Sequence, residues 1–140
     1  MSGQDYSARV RAAGLRVTAA RVAVLTVLAE HPHATIDQVR ELVIERLGSL
    51  SVQATYDVLA ALHQARLVRR VEPAGQAPRF ELAGDNHHHL MCRRCGELRD
   101  VDCAVGHAPC LEPVDPQGYR VDEAEVIYWG LCPTCTEGLA

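Results

Sequence analysis

The sequence predicts an α+β fold, in which an N-terminal winged helix-turn-helix domain precedes a second unit of different composition. Residues 1–83 have the pattern of four short helices followed by a β-hairpin, while residues 84–140 contain all six cysteines and four of the seven histidines. The net charge also changes, from +2 over the first range to −6 over the second. We therefore predict a domain boundary between residues 83 and 84.

The composition limits the functional class of the chain. Its 140 residues are too few for a large catalytic apparatus, and 48% hydrophobic with 23% charged residues are typical of a soluble protein with a buried core. No run approaches the ~18 apolar residues of a membrane span, and the N-terminus lacks a basic and then apolar export signal. We therefore expect a cytoplasmic protein with no membrane partner.

The helix boundaries are predicted from capping and helix-breaking residues. We expect helices over Tyr6–Ala13, from Thr18 to His31, from Thr35 to Gly48, and from Ser51 to about Ala65. The segment Thr35-Ile36-Asp37-Gln38 has the spacing of a capping box. Apolar residues then follow the helical period and give each of the last three helices a core-facing side: Val22, Val24, Leu25 and Leu28; Ile36, Val39, Leu42, Val43 and Leu47; Val52, Thr55, Val58, Leu59 and Leu62.

The segments Leu67–Glu72 and Arg79–Leu82 predict a β-hairpin across the turn at Pro73–Pro78. In a winged helix the fourth helix would lie in the major groove of DNA, and the hairpin beside the phosphates. The candidate DNA-binding residues are Arg16, Arg21, Ser51, Gln53, Thr55, Tyr56 and Asp57. Arg9 and Arg11 extend the basic cluster at the N-terminus. The alternative is a small helical module that binds another protein, which the helical periodicity alone does not exclude; the N-terminal Arg cluster and the unburied Tyr56 favour DNA.

Two CxxC pairs predict a structural zinc site. They are Cys92-Arg93-Arg94-Cys95 and Cys132-Pro133-Thr134-Cys135, and four thiolates at this spacing bind Zn²⁺ tetrahedrally. A reducing cytoplasm disfavours disulfides, and a four-cysteine site leaves no position for a substrate. The alternative is a thioredoxin-like redox pair, which needs a strand before the pair and a helix that starts at it.

The run His87-His88-His89 predicts a second metal site. In an extended segment His87 and His89 share a face, and the nearby oxygen donors are Glu81 and Asp100. Imidazole and carboxylate ligands suit Fe²⁺, Mn²⁺, Zn²⁺ or Ni²⁺. The alternative is that these histidines are solvated.

Over residues 8–135 the chain resembles the ferric uptake regulator family of metal-dependent repressors. The resemblance rests on Gly14-Leu15-Arg16-Val17-Thr18 with Arg21, His33-Ala34-Thr35, Ala54-Thr55-Tyr56, Arg79-Phe80-Glu81, His87-His88-His89 and both CxxC pairs. The segment Asp122–Cys132 is similar to the actinobacterial peroxide-responsive branch of that family. This implies a repressor of catalase-peroxidase and other oxidative-stress genes.

The resemblance also implies the assembly and its cofactors. It implies a homodimer with a C-terminal α/β dimerisation domain, which binds a pseudo-palindromic double-stranded DNA operator and no small-molecule substrate. The CxxC cysteines correspond to the family's structural Zn²⁺ site. The regulatory Fe²⁺ or Mn²⁺ site corresponds to His33, Glu81, His87, His89 and Asp100, which adds His33 to the groups inferred from the residues. A metal bound by both domains would fix the angle between them, and thereby the spacing of the two recognition helices.

Three features depart from the family pattern or extend it. Asp57 stands where the family commonly has Arg or Asn, so it either accepts from a cytosine amino group or orients an Arg. A possible third metal site corresponds to His88 and His107, with Glu123 or Glu125 replacing a histidine whose position is Ala124 here. Cys103 and Cys110 are either buried apolar residues or redox thiols.

The sequence therefore predicts a metal-dependent repressor that senses peroxide. The alternatives are a plain iron, zinc or nickel uptake regulator and a thiol switch that uses Cys103 and Cys110. A zinc enzyme is a different class, and the chain has no nucleophile motif that supports it. We expect no enzymatic activity.

Overall fold

The computed structural model describes residues 5–84, 87–102, 113–121 and 124–137, except for the side chains of His87 and Asp102. The chain divides into two compact units, Met1–Ala83 and Gly84–Ala140. The first unit is mainly helical and the second is built on a sheet.

Four helices of the first unit begin and end at the residues that the local sequence predicts. They are α1 (Tyr6–Ala12), α2 (Ala19–Glu30), α3 (Ile36–Leu47) and α4 (Val52–Gln64). The Thr18 and Ser51 side chains accept from backbone N–H groups in the first turns of α2 and α4. Both hydrogen bonds of the predicted capping box at Thr35 and Gln38 are present. Gly48 ends α3 with a φ of 90°, a value that glycine adopts at little cost.

A three-stranded sheet completes the first unit, with the order β1–β3–β2. The predicted hairpin forms β2 (Val68–Val71) and β3 (Arg79–Leu82), which pair antiparallel. The two-residue strand β1 (Ala34–Thr35) was not predicted, and it pairs with the other edge of β3, with Ala34 opposite Phe80. This pairing connects the start of α3 to the wing.

Aliphatic side chains from all four helices form the core of the first unit, with Phe80 from the wing. The fully buried members are Val10, Val24, Leu25, Val27, Leu28, Val39, Val43, Leu59 and Leu62. Two residues of the predicted apolar faces are exposed: Leu47 is 40% exposed and Val52 is 53% exposed. Both lie at helix ends next to the α3–α4 turn, where the helical period no longer faces the core.

The second unit contains a sheet of order β5–β4–β6 and the short helix α5. Within the described part of this unit the elements are β4 (His87–Cys92), β5 (Leu98–Asp102), β6 (Ile127–Gly130) and α5 (Pro133–Glu137). The central strand β4 pairs antiparallel with β5 and parallel with β6. The extended segment predicted for the histidine run is thus confirmed as the middle strand of the sheet.

The α+β prediction, with a winged helix-turn-helix domain first and an α/β domain second, is confirmed by these elements. Within the described ranges, no helix combines the length and the apolar character that crossing a bilayer requires.

Candidate metal and DNA-binding sites

The four CxxC cysteines converge in the second unit. Cys92 ends β4, Cys95 lies in the following turn, Cys132 follows β6, and Cys135 is in α5. The four Sγ atoms all lie within 4.8 Å of one another. Because β4 and β6 are parallel neighbours, with Cys92 opposite Gly130, their C-terminal ends bring the two pairs to one edge of the sheet.

The sulfur geometry fits a tetrahedral metal. The Sγ atoms of Cys95 and Cys132 are 3.7 Å apart. Four sulfurs at the usual Zn–S length of ~2.3 Å are separated by ~3.8 Å along each edge of the tetrahedron. A disulfide places its sulfurs at about 2.05 Å. The cysteines therefore stand at metal-ligand spacing, and a thioredoxin-like pair does not explain why all four converge.

The thiols of this cluster differ in acidity. Backbone N–H groups of Cys95 and Cys132 donate toward the Cys92 sulfur and lower the pKa of the Cys92 thiol to about 6. The Cys95 N–H lies 3.4 Å from that sulfur. Burial raises the pKa of the Cys135 thiol to about 12, and hydrogen bonds with Cys132, Cys92 and Cys95 add to this effect. Four thiolates this close repel one another, so full deprotonation needs a cation to compensate them.

The first unit contains a buried histidine–carboxylate pair. The Nε2 atom of His33 lies 3.1 Å from the Oε2 atom of Glu81, and their side chains are 10% and 4% exposed. Imidazole and carboxylate groups held this close, away from water, are a common part of divalent metal sites.

The unpredicted strand β1 explains why His33 meets Glu81. The His33 N–H donates to the Phe80 carbonyl at 2.9 Å, which extends the β1–β3 pairing by one bond and places His33 beside Glu81. His33 has a φ of 72°, in the left-handed region where residues other than glycine are uncommon. Nothing in the local sequence identified His33, because its position depends on a strand partner far along the chain.

The second unit also contains a group of histidine and carboxylate side chains. His89 is fully buried, and its Nε2 and Nδ1 atoms lie 3.4 Å from Asp100 Oδ1 and 3.6 Å from Glu125 Oε1. Asp100 is the cross-strand partner of His89 in the β4–β5 pairing. Sequence reasoning placed Glu125 in a possible third site with His88, whereas the structure places it beside His89.

His88 is also buried, and its Nδ1 atom accepts a hydrogen bond from the Val126 N–H at 2.9 Å. Only its Nε2 atom remains for a metal. The other candidates for the third site, His107 and Glu123, lie outside the described residues, as do the possible redox thiols Cys103 and Cys110.

Helix α4 presents a polar face opposite its buried face. Tyr56 is 50% exposed, and Gln53 and Asp57 are exposed beside it. Thr55 was a candidate for DNA contact, but it is fully buried and its hydroxyl donates to the Ser51 carbonyl at 2.9 Å. That candidate was wrong, because Thr55 lies on the core side of the helix.

The other candidate DNA-binding groups are exposed or partly exposed. Ser51 caps α4, and its Oγ atom accepts from the Ala54 N–H. The Arg21 guanidinium donates to the Arg16 carbonyl at 2.7 Å, which ties α2 to the segment before it. Arg16 itself is exposed. The Asp57 carboxylate accepts a hydrogen bond from Gln53 at 2.9 Å, and among the described residues no Arg is paired with it.

Sequence comparison relates the chain to known regulators. The sequence model of the "Ferric uptake regulator family" matches residues 12–127. The transcriptional regulator FurA of Mycobacterium tuberculosis is 54% identical over 133 residues, which cover 94% of this chain and 90% of FurA. The peroxide-responsive repressor PerR of Staphylococcus epidermidis is 27% identical over 140 residues, with coverage of 96% and 90%.

Structural comparison gives the same fold. The crystal structure of the Campylobacter jejuni peroxide stress regulator matches with a TM-score of 0.70, covering 96% of this chain and all of that one (100%) at 22% identity. At this identity the match establishes the fold.

Proposed function

The chain belongs to the ferric uptake regulator family of metal-dependent transcriptional regulators, and we propose that it is a peroxide-sensing repressor. In this proposal a homodimer binds a pseudo-palindromic DNA operator when its regulatory site holds Fe²⁺ or Mn²⁺. Peroxide inactivates the iron-loaded protein and releases the DNA. The genes it controls would be those of the oxidative-stress response, catalase-peroxidase genes among them.

The first part of the proposal is a structural Zn²⁺ ion, bound by Cys92, Cys95, Cys132 and Cys135. Their mutual sulfur distances, within 4.8 Å, support it. Zinc bound there would connect β4 and the turn after it to β6 and α5, two neighbouring elements that lie far from β4 in the sequence. The apparent binding free energy of such sites is roughly 10–16 kcal/mol near neutral pH, comparable to the stability of a whole domain.

The regulatory part rests on one observation: each unit has its own histidine–carboxylate pair, His33 with Glu81 and His89 with Asp100. Nitrogen and carboxylate oxygen donors suit Fe²⁺ and Mn²⁺, whereas zinc is served by the thiolates. We propose that one ion binds both pairs together with His87. The ion then favours the arrangement in which all five ligands reach it, and the protein is free to leave that arrangement without metal.

The DNA-binding part rests on the winged helix and on the exposed face of α4. A two-fold dimer presents the same helix twice, so the operator should contain two related half-sites. Leu90, Tyr128 and Leu131 of the second unit are at least 40% exposed, which supports dimerisation through this unit.

Peroxide sensing follows from the chemistry of the ligands. Fe²⁺ held by these imidazoles and carboxylates would supply the redox chemistry that activates hydrogen peroxide beside its own ligands. The net reaction inserts one oxygen atom of H₂O₂ into a ligand imidazole and releases the other as water. The oxidised ring is a poor ligand, so the constraint between the units is lost. Asp100 supports this assignment, because the resemblance to the peroxide-responsive branch of the family implies an Asp at this position.

An operator-binding assay under defined metals tests the proposal. The zinc-loaded protein should bind its operator tightly with Mn²⁺ or Fe²⁺ and weakly without either ion. Peroxide should abolish binding only for the iron form. Equal DNA binding with and without added metal would contradict the regulatory site. Metal-dependent binding that peroxide does not affect would instead identify a plain metal sensor.

A further inference from the structure

The recognition helix has a side-chain pair that the proposed function leaves unexplained. Gln53 and Asp57 lie four residues apart on the exposed face of α4, and the Gln53 Nε2 atom donates to Asp57 Oδ1 at 2.9 Å. Both are near the N-terminal end of the helix, the end that contacts bases in helix-turn-helix proteins. An acidic group there repels phosphate, so its presence needs a reason other than affinity.

The pair fixes the orientation of the Gln53 amide. An ionised carboxylate only accepts hydrogen bonds, so Asp57 must face the nitrogen of the amide rather than its oxygen. One N–H group of Gln53 is then held by Asp57. The Oε1 atom and the second N–H remain for an outside partner. An amide that rotates freely would offer its oxygen and nitrogen in either order.

The groups that remain match one base. In the major groove adenine offers the N6 amino group as a donor and N7 as an acceptor, and a glutamine amide pairs with both. Guanine offers two acceptors at these positions, which an amide oxygen would face unfavourably. Tyr56, 50% exposed beside the pair, adds an aromatic surface for the neighbouring bases.

We propose that Gln53 reads an adenine in each half-site and that Asp57 is the residue that positions its amide. This inference rests on the proposed function, because it requires that α4 enters the major groove. Asp57 lowers the affinity for DNA of any sequence, because it repels phosphate, and it increases the preference for one base.

Selection from a randomised duplex library, with the full chain loaded with Zn²⁺ and Mn²⁺, tests the inference. The wild type should select adenine at a position contacted by α4, and replacing that base pair should weaken binding by about 10-fold or more. Gln53→Ala and Asp57→Ala should both lose this preference, and the double variant should lose no more than either one. Asp57→Asn presents both an acceptor and a donor, so it can pair with the Gln53 amide in either orientation and should keep the preference only in part.

A second measurement separates positioning from charge. Affinity for unrelated DNA should rise for Asp57→Ala, Asp57→Asn and the control Glu45→Ala, because each removes an exposed acidic group of the first unit. Glu45→Ala should leave base preference unchanged. Circular dichroism of each variant checks that the helices remain folded.

The outcomes separate this inference from the proposed function. Unchanged adenine preference in Gln53→Ala or Asp57→Ala would overturn the inference while the repressor assignment stands. Selection of an operator without adenine at that position, or a full wild-type preference in Asp57→Asn, would also overturn it. A wild-type protein that selects no sequence would contradict the proposed function, and this inference with it.

Discussion

At the residue scale, the backbone conformation of His33 depends on a hydrogen bond to a distant strand. Its φ of 72° is costly for a residue with a side chain, and it persists because the His33 N–H is held by the Phe80 carbonyl. The result is a buried imidazole 3.1 Å from Glu81. Backbone strain that presents a ligand pair is typical of functional sites.

Replacing His33 with Ala should therefore weaken the binding of the regulatory metal and leave the zinc ion bound. We expect at least a tenfold loss of Mn²⁺ affinity, since changes to groups that only support a ligand already cost about 10- to 100-fold. Mn²⁺ titration with a competing chelator measures this loss, and the exposed His63→Ala is the matched control. Unchanged Mn²⁺ affinity would remove His33 from the site.

The cysteine cluster predicts a different phenotype. Cys135→Ser should lose zinc and with it the fold of the second unit, giving monomer or aggregate on gel filtration. Thr134→Ala, an exposed change between the two cysteines of the same pair, should retain one zinc per chain. A folded Cys135→Ser dimer that contains no zinc would contradict a structural role for the ion.

At the element scale, local features were predicted well and tertiary ones were not. The caps at Thr18, Thr35 and Ser51 were predictable because each depends on hydrogen bonds within three residues. Strand β1 was not, because a two-residue strand exists only through its pairing with β3. Thr55 is buried because the helical period places it on the apolar face of α4, and the same period excludes it from the face that would contact DNA. The cysteine spacing predicted a cluster, and its geometry came from the parallel β4–β6 pairing.

The capping box of α3 gives a stability prediction at this scale. Thr35→Ala removes a bond to the Gln38 N–H and should reduce the free energy of unfolding by about 1 kcal/mol. Thr26→Ala is the control, because Thr26 is inside α2, where alanine is the better helix former. Urea unfolding of the zinc-loaded proteins measures both. Equal stability of Thr35→Ala and the wild type would show that the box contributes little.

At the scale of the whole molecule, DNA recognition combines phosphate and base contacts. Arg16→Ala should weaken binding to all sequences about equally and reduce the salt dependence by about one phosphate contact per subunit. Tyr56→Ala should cost about 1–3 kcal/mol on the operator and little on unrelated DNA. Fluorescence anisotropy at several salt concentrations distinguishes the two. A monomer that binds a single half-site as tightly as the operator would contradict the dimeric arrangement.

The central claim is that one regulatory metal both permits DNA binding and makes it sensitive to peroxide. Mass spectrometry after peroxide treatment, paired with operator binding, tests it most directly. The iron-loaded protein should gain one oxygen atom on His33, His87 or His89 and release its operator, while the manganese-loaded protein does neither. A disulfide between Cys103 and Cys110, formed while every histidine stays intact and the operator is released, would contradict the claim.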